Sequence, residues 1–250
     1  MNLKNGEIII RDTPVQAAAA AANLFAGRAR ECVSEKGFFT VAISGGFTPR
    51  PVHRMLSKEP HLREVPWNKT HIFWVDERWV PENDPQSNYG AAKEDILGRV
   101  DIPREQIYPM LDRGSPGEWA LKYQRKIIDF FQVKEREHPI FDLIVLGIGT
   151  DGHTASLFPG QEALSDNDRI IIATRGGNPC VDRITMTFSL LNRAAHLVFL
   201  ASGKGKATVV NNILRGRKLG LPASRIHPMN GSLAWILDKD AASLLPRLLM

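Results

Sequence analysis

The chain has 250 residues, 43% of them hydrophobic and 24% charged, which is enough apolar material for a substantial core and too little bias for disorder. Its 32 basic and 27 acidic residues leave a net charge of +5, spread along the chain without a Lys/Arg run or interleaved aromatics. That pattern argues against nucleic acid as a partner and tilts weakly toward a small anionic ligand.

Two distant cysteines, Cys32 and Cys180, form neither a disulfide framework nor a metal-ligand spacing, so a reducing compartment fits and no metal is expected. Residues 1–4 open no apolar signal-peptide core, and no stretch approaches the roughly 18 apolar residues of a membrane span. A cytoplasmic location without a membrane partner is the expectation. No linker, composition break or repeat divides the chain, so residues 1–250 are read as one domain.

The first helix is announced by Thr13-Pro14, an N-cap followed by proline at the first helical position, and is carried onward by the alanine run 17–22 with Leu24 and Phe25. Residues 38–43 form a short β-branched and aromatic run that ends at Ser44-Gly45-Gly46, after which 49–56 resumes a helical pattern. The grammar of strand, turn and helix recurs. Residues 71–75 lead into Asp76-Glu77-Arg78, Ser87 is placed to cap a helix over 91–97, and Ser115-Pro116-Gly117-Glu118 has capping-box spacing for a helix to about residue 131. A buried-type strand at 141–146 runs into Gly147-Ile148-Gly149. Further on, 184–188 and 196–200 read as strands, 204–214 as a helix, and 232–237 as a last strand before a C-terminal helix. Such alternation predicts an α/β fold: a single doubly wound, mostly parallel sheet with helices on both faces, whose ligands bind beyond the carboxyl ends of the strands.

Three segments at those strand ends carry chemistry. In Ser44-Gly45-Gly46-Phe47-Thr48-Pro49, adjacent glycines let the backbone turn sharply toward a ligand, and the following helix start offers unpaired N–H groups suited to phosphate. The competing reading is a tight turn with Ser44 or Thr48 as a cap. The segment lacks the endings of a Walker A loop and of a dinucleotide fingerprint, so no nucleotide is indicated. Asp76-Glu77-Arg78 places two carboxylates and a guanidinium at a strand end, where they can orient hydroxyls, act as a base or pair with a phosphate, or simply form a local ion pair.

The third segment, 147–160, is punctuated by Gly147, Gly149, Gly152 and Gly160 and delivers Asp151 and His153 into one loop. An imidazole beside a carboxylate is a general-base arrangement. A capping Asp beside a structural His, or a metal pair, are the alternatives at this point. Five of the other six histidines have blander settings: His53 and His61 in or near a surface helix, His138 in a charged linker, His196 at a strand start and His227 in a loop; His71, in a strand candidate, has no such ready reading. Arg183 opens a strand, and Lys204 and Lys206 fall in a first helical turn, an unfavourable place for cations that a bound phosphate would offset.

Taken together, Ser44-Gly45-Gly46-x-Thr48-Pro49, Asp76-Glu77-Arg78-x-Val80-Pro81 with Ser87-Asn88-Tyr89, the run from Gly149 through Asp151-Gly152-His153 to Gly160, Arg183-Ile184-Thr185 and Lys206-Ala207 resemble the 6-phosphogluconolactonase family. That family stands with the glucosamine-6-phosphate deaminases and shares their fold, and the resemblance runs nearly the whole chain. It implies that Ser44, Gly45, Gly46, Thr48, Arg183 and Lys206 hold the substrate phosphate, while Asp76, Arg78, Asp151 and His153 line the reacting end. It further implies hydrolysis of 6-phospho-D-glucono-1,5-lactone, with His153 activating water, Asp151 orienting it, Arg78 or backbone N–H groups steadying the oxyanion, and no cofactor.

Phe47 departs from the small hydroxyl residue the family usually has. Deaminases read His-Ile-Ala-Phe-Asn-Glu after Asp-Gly and have Asp-Glu-Tyr in the second segment. Here Phe158 stands where their Glu supports the His, which favours the lactonase over a deaminase/isomerase-like enzyme. A non-catalytic sugar-phosphate sensor is the other alternative; relatives of this fold that serve in transcription regulators carry an additional DNA-binding segment, and no helix-turn-helix-sized extension is expected here. A small-molecule substrate and a monomer or small homo-oligomer are the expected partners.

Overall fold

The computed structural model describes residues 6–111, 114–133, 138–166, 168–217 and 220–246, so the N-terminal residues 1–4 discussed above lie outside the described residues. The chain opens with β1 (Glu7–Arg11) and α1 (Pro14–Lys36). Thr13 caps α1 by accepting from the Gln16 N–H at 3.2 Å, and Gly37, with φ 87°, closes it by donating to the Val33 carbonyl. Its buried face is mostly alanine (Ala17, Ala18, Ala21, Ala22, Ala26, Ala29), with Phe25 the one large side chain; so small a surface lets the helix lie close against β2 and β10.

The elements follow as β2 (Phe39–Ile43), α2 (Arg50–Leu56), α3 (His61–Glu64), β3 (Thr70–Trp74), β4 (Asp76–Arg78), α4 (Asn88–Ala92), β5 (Ile107–Tyr108), α5 (Pro116–Phe131) and β6 (Leu143–Leu146). Then come β7 (Ile171–Gly176), β8 (Val181–Met186), α6 (Phe188–Leu191), β9 (His196–Ala201), α7 (Ala207–Leu214), β10 (Ser232–Asp238) and α8 (Lys239–Ala242). The capping box of α5 forms as its spacing requires: Ser115 and Glu118 each accept from the other's backbone. Ser87 does cap a helix, but α4 starts immediately at Asn88, and 93–97 continues it as a π-helical turn.

Seven strands form one sheet in the order β1-β10-β9-β6-β2-β3-β5, every pair parallel. β2 and β6 are buried along their whole length, as befits central strands covered on both faces. The chain moves outward from β2 through β3 to β5, then returns to β6 on the other side of β2 and moves outward again through β9 and β10. The doubly wound sheet expected from the alternation is therefore present, and its order reverses between β2 and β6.

Not anticipated is a second sheet, antiparallel and three-stranded, in the order β4-β8-β7. The strand expected near 184–188 belongs to it and not to the main sheet. It hangs on the main sheet through Val75, which follows β3, donates to the Ile43 carbonyl and accepts from the Met186 N–H at 2.8 Å. The largest fully buried side chains include Trp74, Trp235, Phe39, Phe73, Phe141 and Phe199. Among the described residues, no helix is long and apolar enough to cross a membrane.

Candidate active site

The loops after β2 and β6 leave the sheet side by side at the reversal point, and the Ser44 hydroxyl ties the β2 loop to β6 by donating to the Val145 carbonyl at 2.8 Å. A cavity of about 400 Å³ opens there. Ser44, Gly45, Gly46 and Thr48 line it from the β2 loop, Asp76 and Arg78 from β4, His153 from the β6 loop, Arg183 from β8 and Lys206 from the turn after β9. Asp151 stands behind His153 and does not line it. Lys204 does not reach it either, so only one of the two lysines in that turn faces the cavity.

The β2 loop is shaped for close approach. A Cβ at Gly45 would overlap the Asn88 side chain, and Gly46 takes φ 92°, so neither position tolerates another residue without rearrangement. Neither Ser44 nor Thr48 caps α2, whose N-cap is Pro49 without a side-chain bond. Residues 44–49 line the cavity, while the Ser44 hydroxyl proton is committed to Val145. Phe47 projects at the rim, 95% exposed. Half-buried Lys206 has its pKa lowered by that burial, an effect that Asp151 opposes.

The antiparallel pairing of β4 with β8 sets Arg78 directly opposite Arg183. Like charges in that position repel. Burial chiefly, and Arg78 next, lower the pKa of Arg183. Each guanidinium is held in place nonetheless. Arg183 Nε donates to the Gly176 carbonyl at 2.8 Å and Nη1 reaches the Ser156 hydroxyl at 3.4 Å; Arg78 Nη1 donates to the Gln86 carbonyl at 2.9 Å and to Asn88 Oδ1. Two opposed guanidinium groups on one cavity wall make a site for an anion.

Beneath them lies a buried polar floor. The Ser156 hydroxyl donates to Asp76 Oδ2 at 2.6 Å, and Asn88 Nδ2 donates to the Asp76 carbonyl at 2.8 Å. Glu77, fully buried, points away from the cavity and accepts from the N–H groups of Arg78, Asn88 and Tyr89, each at 2.8 Å, and from the Ser87 hydroxyl. Burial pushes its pKa up to about 7 against those donors. Glu77 therefore fastens the 87–89 segment to β4, which is how Asn88 comes to sit between Asp76, Arg78 and Gly45. Nothing in the residue pattern marks Asn88 or Ser156 independently as site residues; both occur in the segments carrying the family resemblance, but their contacts depend on pairings distant along the chain.

In the β6 loop, His153 Nδ1 donates to Asp151 Oδ1 at 2.6 Å, and the His153 N–H also reaches that oxygen at 3.2 Å. The two residues thus do meet. Gly149 makes room for the pair, because a Cβ there would overlap both side chains. The Thr154 hydroxyl closes the loop onto the Gly147 carbonyl at 2.8 Å. Phe158 packs on the imidazole, with ring centroids 4.7 Å apart. With Nδ1 bonded to the carboxylate, Nε2 is the basic nitrogen.

His53 and His61, assigned by the sequence to a surface helix, are instead buried. Burial pushes the pKa of His53 down to about 4, and His61 bonds Asn23 at 2.7 Å. Among the described residues no group of three or more His, Cys, Asp or Glu is placed to hold a metal ion.

The sequence profile of the family described as glucosamine-6-phosphate isomerases/6-phosphogluconolactonase matches residues 12–235. A 6-phosphogluconolactonase of Synechocystis is 40% identical over 218 residues, covering 86% of this chain and 88% of its own. Among solved structures, the 6-phosphogluconolactonase of Trypanosoma cruzi superposes with a TM-score of 0.84 at 29% identity, covering 98% of each chain. A monomeric glucosamine-6-phosphate deaminase superposes with a TM-score of 0.81 at 19% identity, covering 95% of this chain and 99% of its own, a likeness of fold alone.

Proposed function

The chain belongs to the family of glucosamine-6-phosphate isomerases and 6-phosphogluconolactonases, and on that premise we propose that it hydrolyses 6-phospho-D-glucono-1,5-lactone to 6-phosphogluconate, the second step of the oxidative pentose phosphate pathway. The observation that carries this reading is one cavity faced by a carboxylate-held imidazole and by the glycine-rich 44–48 loop, Arg183 and Lys206. The first is equipment for activating water, the second for holding a phosphate.

The phosphate is bound by backbone N–H groups of the 44–48 loop together with Lys206 and Arg183. Held there, the lactone turns its carbonyl toward His153. Nε2 of His153 takes a proton from water as the oxygen attacks the carbonyl carbon, and Asp151 keeps Nδ1 protonated and stabilises the imidazolium that forms. Arg78 faces the developing oxyanion, with Asn88 and Asp76 fixing where it points. The tetrahedral intermediate collapses by breaking the bond from that carbon to the ring oxygen, which receives the proton back from Nε2. The product is the open-chain acid, which ionises in solution. Every step uses this chain's own groups and water.

The aromatic Phe158 against His153, where a carboxylate would support an amino-sugar reaction, favours the lactone over ring opening of an amino sugar. Freshly generated 6-phosphogluconolactone given to the purified protein should disappear well above the spontaneous rate. Wild-type protein at the background rate would overturn the reading, and release of ammonia from glucosamine 6-phosphate would replace it.

A further inference from the structure

We infer that Phe158 is a positioning residue that seats the water-activating histidine and the anion-binding arginine with one ring, so that both halves of the proposed site depend on it. The inference rests on the lactonase reading for the roles of those two residues; the contacts themselves do not.

The ring is buried, and three groups converge on it. The His153 imidazole lies 4.7 Å away, centroid to centroid, tilted by 44°. The Arg183 guanidinium carbon lies 5.3 Å from the ring centroid, within the range of a cation–π contact. Gly176 backs the ring so closely that a Cβ there would overlap it. The same Gly176 carbonyl accepts from Arg183 Nε at 2.8 Å. Ring, backbone and guanidinium therefore form a closed triangle in which none moves alone.

His153 has few other restraints. Its side chain is about one third exposed, and Asp151, the carboxylate bonded to it, is itself half exposed. A single hydrogen bond to Nδ1 leaves the imidazole free to swing about that contact. A ring packed on the imidazole removes this freedom and fixes the direction of Nε2. On the other side, Arg183 is opposed by Arg78 across the strand pair. A π face beside the guanidinium offsets part of that repulsion without neutralising the charge, as a carboxylate at the same position would. An aromatic residue is thus suited to both tasks: it restrains the base while leaving the cation free for substrate.

Phe158→Leu keeps the apolar volume and removes the ring. With the lactone as substrate, kcat should fall about 10-fold through loss of His153 orientation. The inhibition constant of inorganic phosphate, a probe of the anion end alone, should rise about 3-fold to 10-fold as Arg183 loses its seat. Asp151→Asn should lower kcat with little change in phosphate inhibition, and Arg183→Lys should do the reverse. Movement of both quantities in Phe158→Leu, with Tm close to wild type, supports the shared seat. Wild-type values for both, or movement of only one, overturns it. If Phe158→Leu fails to fold, Phe158→Met is read by the same two measurements. If the wild-type protein does not turn over the lactone, phosphate affinity measured by calorimetry tests the Arg183 half independently, and an unchanged affinity in the variant overturns the inference.

Discussion

Two cavities lie at opposite ends of the same parallel strands, and the larger one is the poorer site. At the amino ends, about 580 Å³ is enclosed by the starts of β1, β9 and β10 and includes Arg28, His196 and His227; at the carboxyl ends, about 400 Å³ holds the proposed active site. Both contain histidine and arginine. What differs is the backbone. At the carboxyl ends the chain leaves the buried strands β2 and β6 through glycine turns whose backbone lines the space. At the amino ends the lining comes from the first residues of β1, β9 and β10 themselves, with Leu24 and Arg28 of α1. His196 bonds the Ser232 hydroxyl at 2.6 Å, where His153 has a carboxylate. Residue type and room alone therefore do not separate the two cavities; on the proposed reading the direction in which the strands run does.

The sharpest way to break this contrast is to remove one histidine from each cavity. His153→Ala should reduce turnover of the lactone by about 10²-fold to 10⁴-fold, the range general-base catalysis supplies, whereas His196→Ala should leave kcat and KM near wild type. Equal losses in a direct rate assay would refute the assignment of the two ends.

Next in size are the cations. Lys206→Ala and Arg183→Ala should each raise KM about 10-fold to 100-fold, the worth of a charge-assisted hydrogen bond. Lys206→Ala should leave kcat largely intact; a fall in kcat at constant KM would move Lys206 from the phosphate to the reacting end. Arg28→Ala, in the other cavity, is the control and should change neither.

A smaller effect is expected in stability. The pKa of Glu77 is raised by folding from 4.5 to about 7, so this residue contributes stability that is fully present below pH 4.5 and is lost as pH rises through about 7. Its contribution amounts to a few kcal/mol at most. Glu77→Gln misplaces an amide against the backbone donors and should be less stable throughout. The gap between wild type and variant should be widest in acid and narrow toward neutral pH, read from denaturant midpoints at each pH; a gap that widens toward neutral pH would contradict the assigned direction. Smallest of all, Phe47→Ser at the exposed rim should change KM by less than about 3-fold, because the side chain holds no other part of the loop.

Much of this was legible in the chain itself, for physical reasons that can be named. The Ser44-Gly45-Gly46 turn and Asp151-Gly152-His153 are local: their residues are neighbours in sequence, so the chemistry they can form is visible without the fold. The helix starts at Thr13 and Ser115 were legible for the same reason. The opposition of Arg78 and Arg183 was not, because it depends on the register of an antiparallel pair about a hundred residues apart in sequence. The second sheet was missed with it, since β4 is only three residues long and carries no alternating pattern. Asn88 and Ser156 read as ordinary loop polar residues. They acquire a part only when Glu77 and Asp76 pull distant segments together.

The bond from the Ser44 hydroxyl to the Val145 carbonyl has a consequence for what the protein can tell apart. It fastens the glycine-rich 44–48 loop to β6, the strand that leads into the His153 loop, so the span between the two loops is set by the fold itself. On the proposed reading the cavity works as a ruler, with one mark at the phosphate and the other at the carbonyl. A sugar phosphate one carbon shorter would still reach the first mark and fall short of the second, so it would occupy the enzyme as an inhibitor and not be turned over.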